Sequence, residues 1–118
     1  MENFKHKEIT HNIIGAAIQV HKTLVNGFQE VIYQRAMVIE LPLFGLNFQR
    51  EFEMPVLYRE QQIGTRRVDF LVEGIISVEL KAISKLEDTN LAQALNYLEA
   101  FNPEIGLLIN FGNPNPGV

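Results

Sequence analysis

Arg66-Arg67-Val68-Asp69-Phe70-Leu71-Val72-Glu73-Gly74-Ile75-Ile76-Ser77-Val78-Glu79-Leu80-Lys81-Ala82 is the stretch that decides the fold. Runs rich in Val, Ile and Phe on either side of Glu73-Gly74 read as the two strands of a hairpin. Loop length sets which side chains share a face, because successive strand residues point to opposite sides. A two-residue loop at Glu73-Gly74 pairs Val72 with Ile75 and sends Asp69 and Glu79 to opposite faces. A three-residue loop of Val72, Glu73 and Gly74, with Gly74 left-handed, pairs Leu71 with Ile75 and Asp69 with Ser77. Val68, Phe70, Ile76, Val78 and Leu80 then line one face, and Asp69, Leu71, Ile75, Ser77, Glu79 and Lys81 the other. The longer loop sorts apolar from polar and the shorter mixes them, so the longer is expected. It gathers two carboxylates and an amine on one surface.

Outward from the hairpin, the pattern gives helix, helix, strand, hairpin, helix, strand. Ile9, Ile13, Ala17, Val20 and Leu24 recur at spacings of three and four, which predicts a helix over residues 7–24. His21 near its end reads as a surface or capping histidine rather than a ligand. Val25-Asn26-Gly27 is a stop signal. A second helix is expected from Phe28 to Phe44, with Val31, Ala36, Ile39, Leu43 and Ile32 as its core stripe and Pro42 and Gly45 ending it. Glu30 falls in its first turn, where a carboxylate suits the helix dipole, and Tyr33 shares its face.

Residues 47–58 alternate, with Phe48, Arg50, Phe52 and Met54 on one face. Pro55 marks this strand as an edge or bends it. Arg59 to Gly64 reads as a turn. After the hairpin, a third helix is expected from Thr89 to Phe101, with Gln93 and Tyr97 four apart on one stripe. The apolar run Gly106 to Phe111 suits a buried strand, and residues 113–118 a mobile tail. A helix between the hairpin and the last strand permits a parallel right-handed crossover, so a mixed sheet with helices on its apolar face is expected.

Composition narrows the function. With 47% hydrophobic and 20% charged residues in 118, the chain is one globular domain, expected over residues 1–112. No apolar run reaches the length needed to cross a bilayer, and Met1 to Glu8 lacks a signal-peptide core. The absence of cysteine excludes disulfides and thiolate metal sites, and makes the cytoplasm the default compartment. A net charge of −4 leaves phosphate binding to a local patch or to bound cations.

Asp69 and Glu79 supply the hard oxygen donors that Mg²⁺ prefers. Lys81, beside them, can orient or deprotonate a water, or stabilise charge developing on phosphorus. A solvated sheet face with a Glu–Lys pair explains the same residues, and spacing alone leaves both open.

Gly27-Phe28-Gln29-Glu30-Val31-Ile32-Tyr33 matches the pattern G-x-x-E-x-x-Y. Further matching segments are Gly15 to Lys22, Val68 to Glu73, Val78 to Ala82, Ala92 to Leu98 and Gly106 to Gly112. In this order they make the chain resemble the GxxExxY family of the PD-(D/E)xK, or restriction-endonuclease-like, nuclease superfamily. The resemblance implies an α/β fold with a restriction-endonuclease-like core: a mixed sheet with a central hairpin, flanked by helices. It implies a Mg²⁺-dependent nuclease, with Mn²⁺ as substitute, that acts on nucleic acid, DNA in particular, and is compatible with a homodimer. Glu30, Asp69 and Glu79 then become metal-binding acids, Lys81 the catalytic lysine, Gln93 the accompanying helix glutamine and Tyr97 a supporting position. Val68 stands where a proline often precedes the acid. Asp88-Thr89-Asn90 replaces a region that often carries histidine, and the terminus lacks a basic stretch. The acidic charge and small size motivate a second class: a catalytically silent nucleic-acid-binding or regulatory module on the same fold.

Overall fold

The computed structural model describes residues 2–83 and 105–112. Its elements are α1 (Glu2–Leu24), α2 (Glu30–Leu43), β1 (Phe48–Tyr58), β2 (Gln61–Val72), β3 (Ile76–Lys81) and β4 (Ile105–Asn110). The helix expected at Thr89–Phe101, with Gln93 and Tyr97, lies outside the described residues, as does the tail.

The sheet has the order β1-β2-β3-β4. The first two pairings are antiparallel, and β3 pairs β4 in parallel from Ile76↔Ile105 to Lys81↔Asn110. This is the mixed sheet that the hydrophobic pattern predicts. Pro55 sits on the edge strand β1, where a missing backbone donor is tolerated.

Both helices cover one face. Ile9, Ile13, Ala16, Ala17 and Val20 of α1 join Tyr33, Met37 and Leu41 of α2 over Phe70, Val72, Ile76, Val78 and Leu80. A Cβ at Gly15 would come within 2.9 Å of the Phe44 ring, so this glycine lets the two helices close together.

The stripe expected on α2 is corrected. Tyr33, Met37 and Leu41 are buried, whereas Val31, Ile39 and Leu43 are 39%, 69% and 73% exposed. The helix is apolar on several sides, so periodicity does not select a face; contact with α1 and the sheet does. His21 is also corrected: it is buried and stacks on Phe111 at 6.4 Å between ring centroids. The turn expected at Arg59–Gly64 contracts to Arg59 and Glu60, both left-handed at φ 48° and 67°. Gln61–Gly64 already belong to β2. Neither turn residue is Gly or Asn, the types that usually announce this mirror-image turn.

The central hairpin has a three-residue loop, one position later than predicted. Val72 pairs with Ile76 and Leu71 with Ser77, which leaves Glu73, Gly74 and Ile75 in the loop. Glu73 and Gly74 are both left-handed, at φ 54° and 67°. Glu73 is held there by its backbone N–H on the Asn47 carbonyl (2.9 Å) and its carboxylate on the Asn47 N–H (2.7 Å). A shift of two in register keeps Phe70, Ile76, Val78 and Leu80 on the helix-covered face, but Val68, expected there too, packs instead with Met54 and Leu71 in a separate cluster. The shift moves Asp69 from opposite Ser77 to level with Glu79.

Candidate active site

Asp69 is skipped by both of its neighbours. The β1–β2 ladder pairs Arg50 with Phe70 and Phe52 with Val68, omitting Glu51 and Asp69. Glu51, across from Asp69, takes a left-handed φ of 52°. The β2–β3 ladder stops at Phe70↔Val78. Beyond it the Asp69 carboxylate substitutes for its backbone: the Leu80 N–H donates to Oδ2 at 2.7 Å. On the other oxygen, Gln34 Nε2 donates to Oδ1 at 2.9 Å. Gln34 is oriented in turn by Arg50, whose Nη2 donates to Gln34 Oε1 at 2.8 Å. The acid is therefore aimed by a chain of donors from α2 and β1. Each oxygen keeps acceptor capacity beyond these bonds.

Glu79, level with Asp69 on β3, accepts from Arg66: Nη2 at 3.2 Å and Nε at 3.3 Å both point to Oε1. Lys81 follows on the same strand, paired in register with Asn110. Asn110 is fully buried and fixes the strand end. Its Nδ2 donates to the Ile83 carbonyl at 2.8 Å, and its Oδ1 accepts from the N–H groups of Ile83 and Gly112.

Glu30 opens α2. The preceding loop is tied by Tyr33, whose hydroxyl donates to the Val25 carbonyl (2.5 Å) and accepts from the Phe28 N–H (3.2 Å). The Tyr33 ring stacks on Phe111 at 4.6 Å. Tyr33 thus shapes the entry to α2 from the core, and Glu30 stands outside. The Glu30 carboxyl is pushed above its ordinary value of 4.5, first by partial burial and then by Asp69 and Glu79, against the opposing pull of Lys81. A helix dipole alone acts in the other direction. Glu30 feels the hairpin acids.

These residues meet in an open cleft of about 260 Å³ lined by Glu30, Arg66, Arg67, Val68, Asp69, Glu79 and Lys81. Glu30, Asp69, Glu79 and Lys81, four of the six positions named from the sequence, come together there; Gln93 and Tyr97 lie outside the described residues. The sequence offers little warning of Gln34, Arg50, Arg66 or Asn110. Gln34 carries one signal, its position four residues after Glu30 on the same helix face.

The sequence matches the family model described as the PD-(D/E)XK nuclease superfamily over residues 7–118. The chain belongs to that superfamily. Comparison with curated proteins and with solved structures gave no match. Membership brings a nuclease-like function, and nucleases of this superfamily generally use divalent metals. No helix among the described residues is long and apolar enough to cross a membrane.

Among the described residues no three Asp, Glu or His side chains form a group that holds a metal. Asp69 and Glu79 nevertheless fit a hard cation in donor chemistry. Mg²⁺ keeps several waters and is commonly bound through one or two carboxylates.

Proposed function

We propose that this domain is a Mg²⁺-dependent nuclease of the GxxExxY type, with Mn²⁺ as a substitute ion, that hydrolyses phosphodiester bonds in DNA. The observation that carries the proposal is the convergence of Asp69, Glu79, Lys81 and Glu30 on one cleft. Asp69 and Glu79 are the cation ligands, with Glu30 as a third acid beside them and Gln93 in support. When bound, the cation supplies Lewis acidity toward the phosphate and a more acidic water. Gln34 and the Leu80 amide hold Asp69 in place and leave each oxygen further acceptor capacity. Lys81 orients the attacking water, or stabilises the charge that develops on the phosphate oxygens.

Charge in the cleft supports the substrate class. Its lining holds three basic residues (Arg66, Arg67, Lys81) and three acidic ones (Glu30, Asp69, Glu79), and a doubly charged cation leaves an excess of two positive charges. An acidic chain then presents a locally positive surface to a phosphodiester. A duplex exceeds the reach of so small a domain, so the proposal includes a homodimer, checked by light scattering.

Purified protein incubated with single-stranded, double-stranded and nicked DNA in Mn²⁺, beside Lys81→Ala, tests the activity. Cleavage that disappears in the variant is expected. One observation favours a second function, a silent nucleic-acid-binding module: Glu79 is engaged by Arg66. Tight DNA binding with no cleavage in either protein supports that alternative and removes the first.

A further inference from the structure

We propose that Arg66 is a resident counter-ion for Glu79, one that an entering divalent cation displaces, so that Arg66 sets the cation affinity of the cleft. The inference rests on Glu79 being a cation ligand, as proposed above.

The pair has the geometry of an exchangeable contact. A guanidinium and a carboxylate in a strong pair meet through two parallel bonds of about 2.7–2.9 Å to two oxygens. Here two of the three guanidinium nitrogens of Arg66, Nη2 and Nε, converge on the single oxygen Oε1, at 3.2 and 3.3 Å. The Arg66 side chain is 30% exposed and that of Glu79 14% exposed, so solvent screens the arginine more than the acid. The acid is the costlier of the two to leave without a cation. Glu79 also lies level with Asp69, and Glu30 feels both. A cation-free cleft with three acids needs a positive charge at Glu79, and Arg66 supplies one. A divalent ion supplies two charges to the same oxygens and removes the reason for the contact. Arg66 and Glu79 both line the open cleft, so an entering cation reaches their contact from solvent.

Calorimetric titration of Mn²⁺ into the parent protein, Arg66→Gln, Arg66→Lys, Glu79→Gln and the double variant Arg66→Gln/Glu79→Gln tests this, with circular dichroism to check folding. Arg66→Gln is expected to bind Mn²⁺ about tenfold more tightly, since a positive charge within a few ångströms of the site is gone. Arg66→Lys, which keeps the charge and loses the fork, is expected between the two. Against a Glu79→Gln background the gain from Arg66→Gln is expected to be smaller than in the parent, because the contact between the two is already gone; an equal gain overturns the counter-ion role. Affinity unchanged or weakened in folded Arg66→Gln overturns the proposal while leaving Glu79 as a ligand. Affinity unchanged in Glu79→Gln overturns the ligand assignment itself. If Arg66→Gln fails to fold, Arg66→Lys decides: affinity equal to or below the parent's overturns the counter-ion role, and affinity above it upholds that role.

Discussion

Gln34 donates its side-chain amide to Asp69, Nε2 to Oδ1 at 2.9 Å, while its own carbonyl oxygen is fixed by Arg50. A glutamine buried on α2 thus holds an acid on β2, and a second strand decides which way the amide faces. Replacing Gln34 with Leu removes the aim of Asp69 and strips Arg50 of its acceptor. Urea unfolding is expected to show a loss of about 1–3 kcal/mol, the cost of buried polar groups left unpaired. Cleavage is expected to fall by about 10–100-fold, as when groups that orient a metal ligand are removed. Activity that survives intact in a folded variant refutes the orienting role.

Tyr33 holds Val25 and Phe28 together through one hydroxyl. Tyr33→Phe keeps the ring against Phe111 and removes only the oxygen. The expected cost is about 1–3 kcal/mol, since a part-buried carbonyl and an N–H lose their partner. Hydrogen exchange at the Phe28 amide is expected to accelerate more than at Met37, in the helix core. Uniform acceleration across α2 instead means that the hydroxyl does not act locally.

Glu30 has its proton affinity raised in the folded state, above the ordinary 4.5, by burial and by Asp69 and Glu79. Between 4.5 and the raised value the folded chain binds more protons than the unfolded one. Stability therefore falls as pH rises through that window, and the penalty is fully present above it. Glu30→Gln is expected to be slightly more stable than the parent at neutral pH, solvent screening keeping the effect small. The difference closes as pH falls through 4.5. Thermal melts at several pH values, without divalent ions, check the sign.

Glu79→Ala is expected to lower cleavage by at least about 100-fold, the scale of losing a group that stabilises developing charge. It should also abolish the rise in melting temperature that millimolar Mn²⁺ gives by mass action. A shift in melting temperature that persists in the variant moves the cation elsewhere.

Arg59 and Glu60 occupy left-handed positions in the β1–β2 turn without being Gly or Asn. Arg59→Asn with Glu60→Gly installs the residues this turn prefers, and a gain of about 0.4–1 kcal/mol is expected by denaturant unfolding. Cleavage should not change, because neither residue lines the cleft.

The α/β architecture is legible in the sequence because its signals are local. Alternation along Val68–Leu80 separates two faces, and that separation requires an even register in the hairpin. Both the predicted pairing of Asp69 with Ser77 and the observed pairing of Leu71 with Ser77 satisfy it. Pattern therefore predicts Asp69, Glu79 and Lys81 on one side, and the three do line one cleft. Pattern does not choose between registers two residues apart, since hydrophobic sorting is identical in both. The choice comes from Glu73, which accepts a left-handed conformation because Asn47 bonds it at two points.

The same division holds on α2. Glu30 and Tyr33 stand out as a spaced pair, but periodicity points to Val31, Ile39 and Leu43 as the buried stripe, because several faces of the helix are apolar. What lies against a helix selects its inner face, and here α1 and Phe111 select Tyr33 and Met37. With that rotation fixed, Gln34 turns toward Asp69. By itself, then, the sequence determined which acids and which lysine the domain could bring together. Tertiary structure decided how Asp69 is aimed, through Gln34, Arg50 and the Leu80 amide, and what stands on Glu79, through Arg66. These partners lie 11 to 35 residues away along the chain, beyond the reach of any local periodicity.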